Sequence, residues 1–353
     1  MIDKKVDCYT ATALQLDCYA INSFKDRESA SKRMLERIKV IGDITLNVDL
    51  FTQGFNGTKT RLFVLPEYFL SSFPLGESIR EWQTIAAIDK DGPEYDALRQ
   101  IAQNRTCYLS GNVYERDENF KDLYFQTSFV IDPNGDVILR YRRLISLFAP
   151  SPYDVLEKYI GTYGADSIFP VVDTEIGKIG CIASEEILYP EIARCLAMKG
   201  VELICHSTSE VGSPSMTPKE ICRRARAVEN MCYVVSANTA SIKGIAIPEE
   251  STGGMSKIVD FKGNVQAEAY TGESFVANAI IDIQMLRDTR KKPGMTNLLS
   301  RQPVDLYASE YAKRSGVPAN AMVKDNSVVV PDRAFFIKRQ REVIAHLAKH
   351  GVL

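Results

Sequence analysis

Histidine is nearly absent from this chain of 353 residues: only His206, His346 and His350 occur. A metal centre built from histidines is therefore excluded, and a Ser–His–Asp triad would have to use His206 or the tail. Long apolar runs are missing too. None approaches the roughly 18 residues of a membrane span, so no membrane partner is expected. The eight cysteines show neither CxxC spacing nor pairing with histidine. They read as reduced core residues, not as disulfides or metal ligands. Nor is there a surplus of charge. The net value is −2 with the two signs interleaved, which argues against nucleic acid or a membrane surface as the main partner. The opening MIDKKVDCYTA lacks the basic-then-apolar pattern of a secretory signal, and a cytoplasmic protein is expected. The chain carries no internal repeat or low-complexity segment.

What is present is organised around GKIGCIASEEILYPEIARCLAMKGVELI (177–204). Ile179 to Ala183 is long enough for a buried strand and too short for a helix. After Pro190 the apolar spacing becomes helical through Ile192, Cys195 and Leu196. Gly200 stops the helix, and a new strand runs from Val201 to Cys205. In a strand–turn–helix–strand unit the residue at the strand's end sits beside a helix N-terminus, where anions are favoured. Ser184 holds that place, where a nucleophile would sit.

The rest alternates in the same way. CYTATALQLD (8–17) reads as an edge or first strand, and RESASKRMLERIKVIGD (27–43) as a helix with Met34, Ile38 and Ile41 on one face. RLFVLPEYFLSSFP (61–74) is a β-rich run cut by Pro66, so Glu67 emerges at its end. Desolvation beside Tyr68 and Phe69 suits a general base, although a lone glutamate there is more often a cap. LYFQTSFVIDPNGDVILRYRRLI (123–145) is a hairpin with a Pro-Asn-Gly turn, and it delivers Arg142 and Arg143. Taken alone, such a pair reads as a solvated edge. Residues 150–167 form a loop with a short helical piece carrying Glu157. A stretch over 218–238, helical and running into a strand from Tyr233 to Ala237, a second hairpin over 251–270 and a last strand at 274–283 follow. Arg223, Arg224 and Arg226 read as a solvated helix face. The order predicts an α/β layered fold with helices outside two packed sheets. The tail, 286–353, is charged and proline-punctuated. Its helix at 333–349 reads as too peripheral for the site and suited to embrace a partner subunit.

These pieces resemble, over roughly residues 8–285, the nitrilase superfamily of carbon–nitrogen hydrolases. LPEYFL (65–70) is similar to the family's glutamate motif, VILRYRRLISLF (137–148) to its lysine motif, and 179–204 to its nucleophile elbow. RARAVENMCYVVSANT (224–239) with GGMSKIVDFKGNV (253–265) is similar to the closing helix, strand and hairpin. The resemblance implies an αββα four-layer sandwich over 1–285, pairing into an αββααββα dimer or larger homo-oligomer. It also implies a glutamate–lysine–cysteine triad assisted by a second glutamate, with no cofactor. Position by position, Glu67 matches the base and Glu157 the second glutamate. Arg143 stands at the lysine position and Ser184 at the cysteine position. Cys181, three residues before Ser184 on one strand, faces the other side and reads as core, as does Cys195.

The two exchanges change the chemistry. A serine hydroxyl needs a strong base in contact, and a guanidinium does not give up its proton at ordinary pH. Three readings follow. One is a Glu67–Arg143–Ser184 hydrolase of a small amide, carbamoyl compound or nitrile, with Arg143 and backbone N–H groups as oxyanion donors. Another is an inactive relative that binds a ligand or serves an assembly. The last is a cysteine enzyme whose nucleophile was replaced by serine. Tyr68, Glu185 and His206 are the candidates to border the substrate. Its shape is set by the loops 71–82, 146–165 and 206–218.

Overall fold

The computed structural model describes residues 5–210, 217–313 and 316–353; part of the 206–218 loop thus lies outside the described residues. In chain order the strands are β1 (Tyr9–Ala13), β2 (Leu16–Tyr19), β3 (Thr60–Val64), β4 (Tyr108–Arg116), β5 (Tyr124–Ile131) and β6 (Val137–Arg142), then β7 (Val172–Thr174), β8 (Gly177–Ala183), β9 (Leu203–Thr208), β10 (Tyr233–Lys243), β11 (Lys257–Val259), β12 (Val265–Glu268) and β13 (Asn278–Ile281), with a small hairpin of β14 (Val323–Lys324) and β15 (Ser327–Val328). The helices are α1 (Arg27–Asn56), α2 (Ile79–Ala86), α3 (Pro93–Arg105), α4 (Leu156–Tyr163), α5 (Pro190–Met198), α6 (Pro218–Asn230), α7 (Ile283–Lys291), α8 (Val304–Lys313) and α9 (Arg333–Lys349).

One sheet runs β13-β1-β3-β4-β5-β6; the other runs β12-β11-β10-β9-β8-β7, with β2 also paired to β10. The sheets stack face to face. Tyr9, Leu62, Val64 and Val130 from one meet Ile179, Ile182, Ile204 and Val235 from the other in a common core. Each such aliphatic side chain contributes about 1.5–3 kcal/mol when fully buried. A second core, with Met34, Ile38, Trp82, Leu98 and Phe129, lies under α1, α2 and α3 on the outer face of the first sheet. Residues of α5 and α6 cover the second sheet. The fold is α/β with two sheets flanked by helices. Its interior strands β3, β8 and β9 are parallel to a neighbour and buried on both faces, which explains their nearly continuous apolar runs.

Three elements depart from the sequence reading. The 8–17 run is not one edge strand: β1 lies inside the first sheet and β2 joins the second. The break falls at Gln15, whose amide donates to the carbonyls of Tyr270 and Gly272 and accepts from Ser256 N–H. Helix α1 continues past 43 because Thr45, Val48 and Thr52 extend its buried stripe, ending at Gly57 in the left-handed region. Helix α2 follows a Ser78–Glu81 capping box, with Ile79, Trp82 and Ile85 buried.

Candidate active site

Three strand ends and one loop build the site. Beyond β3, Pro66 ends the ladder and the chain turns through Tyr68 at φ 63°. Glu67 N–H donates to Thr208 O at 3.2 Å, and Ser207 Oγ donates to Leu65 O at 2.7 Å. These bonds tie the end of β3 to the end of β9 in the opposite sheet. Glu67 is fully buried. Its Oε2 accepts from Ser209 N–H at 3.0 Å, and its Oε1 accepts from Gln126 Nε2 at 2.6 Å.

Arg143, one residue past β6, completes this network. Its Nη1 donates to Gln126 Oε1 at 2.6 Å and to Glu67 Oε1 at 3.4 Å. Nη2 donates to Glu185 Oε1 at 2.5 Å, and Nε to Ile145 O at 2.7 Å. Four of the five guanidinium N–H groups are thereby used, leaving one on Nη2. Burial opposes the charge, but Glu67 and Glu185 outweigh it and hold Arg143 above the ordinary arginine value. Arg142 points elsewhere, to Glu115 and Asp117. Neither arginine is a solvated edge: both are buried. The same holds for Arg223, paired to Glu210, and for Arg226, which caps the Ile187 and Leu188 carbonyls.

Ser184 follows β8 at φ 51°, in the left-handed region that costs a non-glycine residue about 1–3 kcal/mol. Its surroundings hold it there. His206 Nε2–H donates to Ser184 O at 2.9 Å; the carbonyl can only accept, so Nδ1 takes the Ser236 hydroxyl at 2.8 Å. Burial, with Arg223 nearby, lowers His206 well below the ordinary histidine value and keeps the ring neutral. Glu186 Oε2 accepts from Ala183 N–H and Tyr141 Oη, and its Oε1 from Leu144 and Ile145 N–H. Burial raises this carboxyl to about 7 against the pull of Arg143 and those donors. The Ser184 hydroxyl itself makes no hydrogen bond among the described residues.

Ser184, Glu185, Arg143, Gln126, Tyr68, Ser209 and Lys219 line a cavity of about 720 Å³. Tyr68 stacks on Tyr114 with ring centroids 6.1 Å apart. The far wall comes from the chain's end. Asp332, Arg333 and Phe336 of the α9 start face the same cavity, and the Arg333 guanidinium lies 3.9 Å from the Phe148 ring centroid. The segment read as too peripheral therefore borders the site. It packs on residues 146–160 of its own chain: Asn320 N–H and Met322 N–H donate to Tyr153 O and Asp154 O, and Arg339 pairs with Asp154.

Of the sequence-selected residues, Glu67, Arg143, Ser184, Tyr68 and Glu185 meet here. Glu157 does not. It is exposed on α4 and absent from the cavity wall, and its backbone N–H donates to Asn320 Oδ1 at 2.9 Å. His206 does not border the cavity either; it lies behind Ser184 as a support. Cys181 sits between the sheets, 3.8 Å from Ser110 Oγ, and Cys195 is half-buried on α5. Sequence reasoning missed Gln126, Glu186 and Lys219. A glutamine inside the apolar run of β5 and a lysine in the first turn of α6 were the available signals.

Two stacked sheets flanked by helices are the fold of solved carbon–nitrogen hydrolases. The carbon–nitrogen hydrolase family matches residues 33–291, and the chain belongs to it. It is 27% identical over 260 residues to the nitrilase and fragile histidine triad fusion protein NitFhit of Caenorhabditis elegans, covering 73% of this chain and 56% of that protein. To the bifunctional nitrilase/nitrile hydratase NIT4A of Lupinus angustifolius it is 32% identical over 196 residues, covering 50% and 51%. The chain thus spans about half the length of these curated relatives. The crystal structure of a carbon-nitrogen hydrolase from Helicobacter pylori G27 superposes with a TM-score of 0.62 at 19% identity, over 86% of this chain and 98% of that one. Among the described residues no helix is long and apolar enough to cross a membrane.

Proposed function

We propose that the chain hydrolyses a carbon–nitrogen bond of a small amide, carbamoyl compound or nitrile, with Ser184 as nucleophile. The observation that carries this reading is the elbow. A serine held at φ 51°, its hydroxyl unbonded among the described residues, lines a cavity whose wall includes a guanidinium with one N–H to spare among them. Strain of that kind persists where the surroundings over-determine it, and it aims the hydroxyl outward. Arg143 would donate the remaining N–H to the oxyanion as the carbonyl carbon becomes tetrahedral. Glu67 fixes Arg143 and Gln126 in place. Incubation with a panel of amides, carbamoyl compounds and nitriles tests the reading. Ammonia release abolished by Ser184→Ala supports it; no turnover across the panel counts against it.

A second reading has its own observation. Both oxygens of Glu67 are held by Gln126, Arg143 and Ser209, as suits a locked binding pocket. In that reading a ligand raises the melting temperature without being consumed. A third, a cysteine enzyme with its nucleophile exchanged, is tested by Ser184→Cys, which it requires to be far more active. A cytoplasmic homodimer belongs to the same proposal. Helix α8, with no buried residue and with Leu306, Tyr307 and Tyr311 exposed, supports pairing; light scattering checks it.

A further inference from the structure

Resting on the serine-hydrolase reading, we propose that Lys219 is the proton carrier for Ser184, taking the role that neither Glu67 nor Arg143 is free to fill. Lys219 reaches the cavity from the first turn of α6 and lines it together with Ser184, Ser209 and Arg143. Its surroundings differ from those of Arg143. Nζ donates to a neutral hydroxyl, Thr208 Oγ1, at 3.2 Å, and it has no carboxylate ion-pair partner among the described residues.

The position is unfavourable for a structural lysine. A cation in the first turn of a helix opposes the dipole. Here Thr217 already caps the helix by accepting from Glu220 N–H, so the lysine adds nothing to the cap. A half-buried ammonium whose hydrogen bond among the described residues goes to a hydroxyl, with Glu67 and Glu210 acting on it only through their charge, costs stability.

The other groups near Ser184 are committed. Arg143 keeps its proton. Glu67 accepts three hydrogen bonds, the His206 nitrogens serve Ser184 O and Ser236, and Glu185 is paired with Arg143. Lys219 can both lose and regain a proton. Burial lowers it from the ordinary lysine value, with Arg223 and Arg143 acting the same way against Glu67 and Glu210.

The steps balance. Neutral Lys219 Nζ takes the Ser184 hydroxyl proton as Oγ bonds to the carbonyl carbon, and the carbonyl electron pair moves onto oxygen. Collapse breaks the C–N bond, and the leaving amine takes the proton from the Lys219 ammonium. Water then attacks the ester, giving a proton to Nζ, which returns it to Ser184 as the acid leaves.

The test is phosphonylation of the full-length protein with a fluorophosphonate, followed by intact and peptide mass between pH 6 and 10. The variants are Lys219→Met, Lys219→Arg and Ser184→Ala. The proposal expects wild-type labelling at Ser184 that rises through an inflection below the ordinary lysine value. It expects a fall of about 100-fold or more in Lys219→Met, with the inflection gone. Lys219→Arg, which keeps charge and bulk, should label as slowly as Lys219→Met. Should either variant fail to fold, the wild-type profile still decides, since a flat profile overturns the assignment. Wild-type labelling matched by Lys219→Met in rate and profile would refute Lys219 while leaving the serine reading standing. Absence of any wild-type labelling at Ser184 would overturn the serine reading itself.

Discussion

Arg143 and Lys219 share one cavity and have opposite surroundings. Arg143 is surrounded by Glu67, Gln126, Glu185 and a backbone carbonyl. Lys219, on the same wall, bonds among the described residues to Thr208 Oγ1. A cation whose donors are nearly all matched holds the site together and loses its proton to nothing. A half-buried cation without a carboxylate in contact among the described residues is costly to keep, as the proposed proton carrier would be. The contrast teaches that Arg143 holds its corner of the site in place.

The comparison breaks first at Arg143. Arg143→Met leaves Glu67 buried without its counter-charge, and urea unfolding should show a loss of about 3–5 kcal/mol. A loss near zero would mean that Arg143 is no scaffold. His206→Gln removes the donor to the Ser184 carbonyl and should cost about 1–3 kcal/mol. Its cost should depend on pH. The folded value of His206 is depressed, so its contribution is full above the ordinary histidine value of 6.5 and falls as pH drops below it. The gap between wild type and His206→Gln should therefore narrow from pH 7.5 to 5.5; a constant gap would contradict the buried neutral ring.

Lys219 gives the opposite sign. Its folded value is also depressed, so its contribution is full only above the ordinary lysine value of 10.5 and is lost as pH falls through the folded one. At neutral pH the ammonium is a burden, and Lys219→Met should stabilise the chain by about 0.3–1 kcal/mol. The gain should shrink toward pH 10. The smallest effect is expected at Glu157. It is exposed and outside the cavity, so Glu157→Gln should move stability by less than about 0.5 kcal/mol and leave turnover unchanged.

Much of this was legible in the chain. Ile179 to Ala183 followed by Pro190 set the strand, turn and helix, and Pro66 set where Glu67 emerges. These signals are local, being periodicity and a missing N–H. What was not legible depended on distant partners. Arg142 and Arg143 read as exposed because Glu115, Asp117 and Glu67 lie far away in sequence. Glu157 was misplaced because residues 146–160 are shaped by Asn320, Met322 and Arg339, which no spacing rule connects to them. Lys219 carried a faint local clue, a positive charge in a first turn, and that clue has meaning only once the cavity is seen.

The most direct test is rapid-quench mass spectrometry during turnover of an amide. The account predicts that the chain gains the mass of the acyl group, carried on the peptide that contains Ser184 and absent from Ser184→Ala. Turnover with no adduct there, or with the acyl group on one of the eight cysteines, would contradict it.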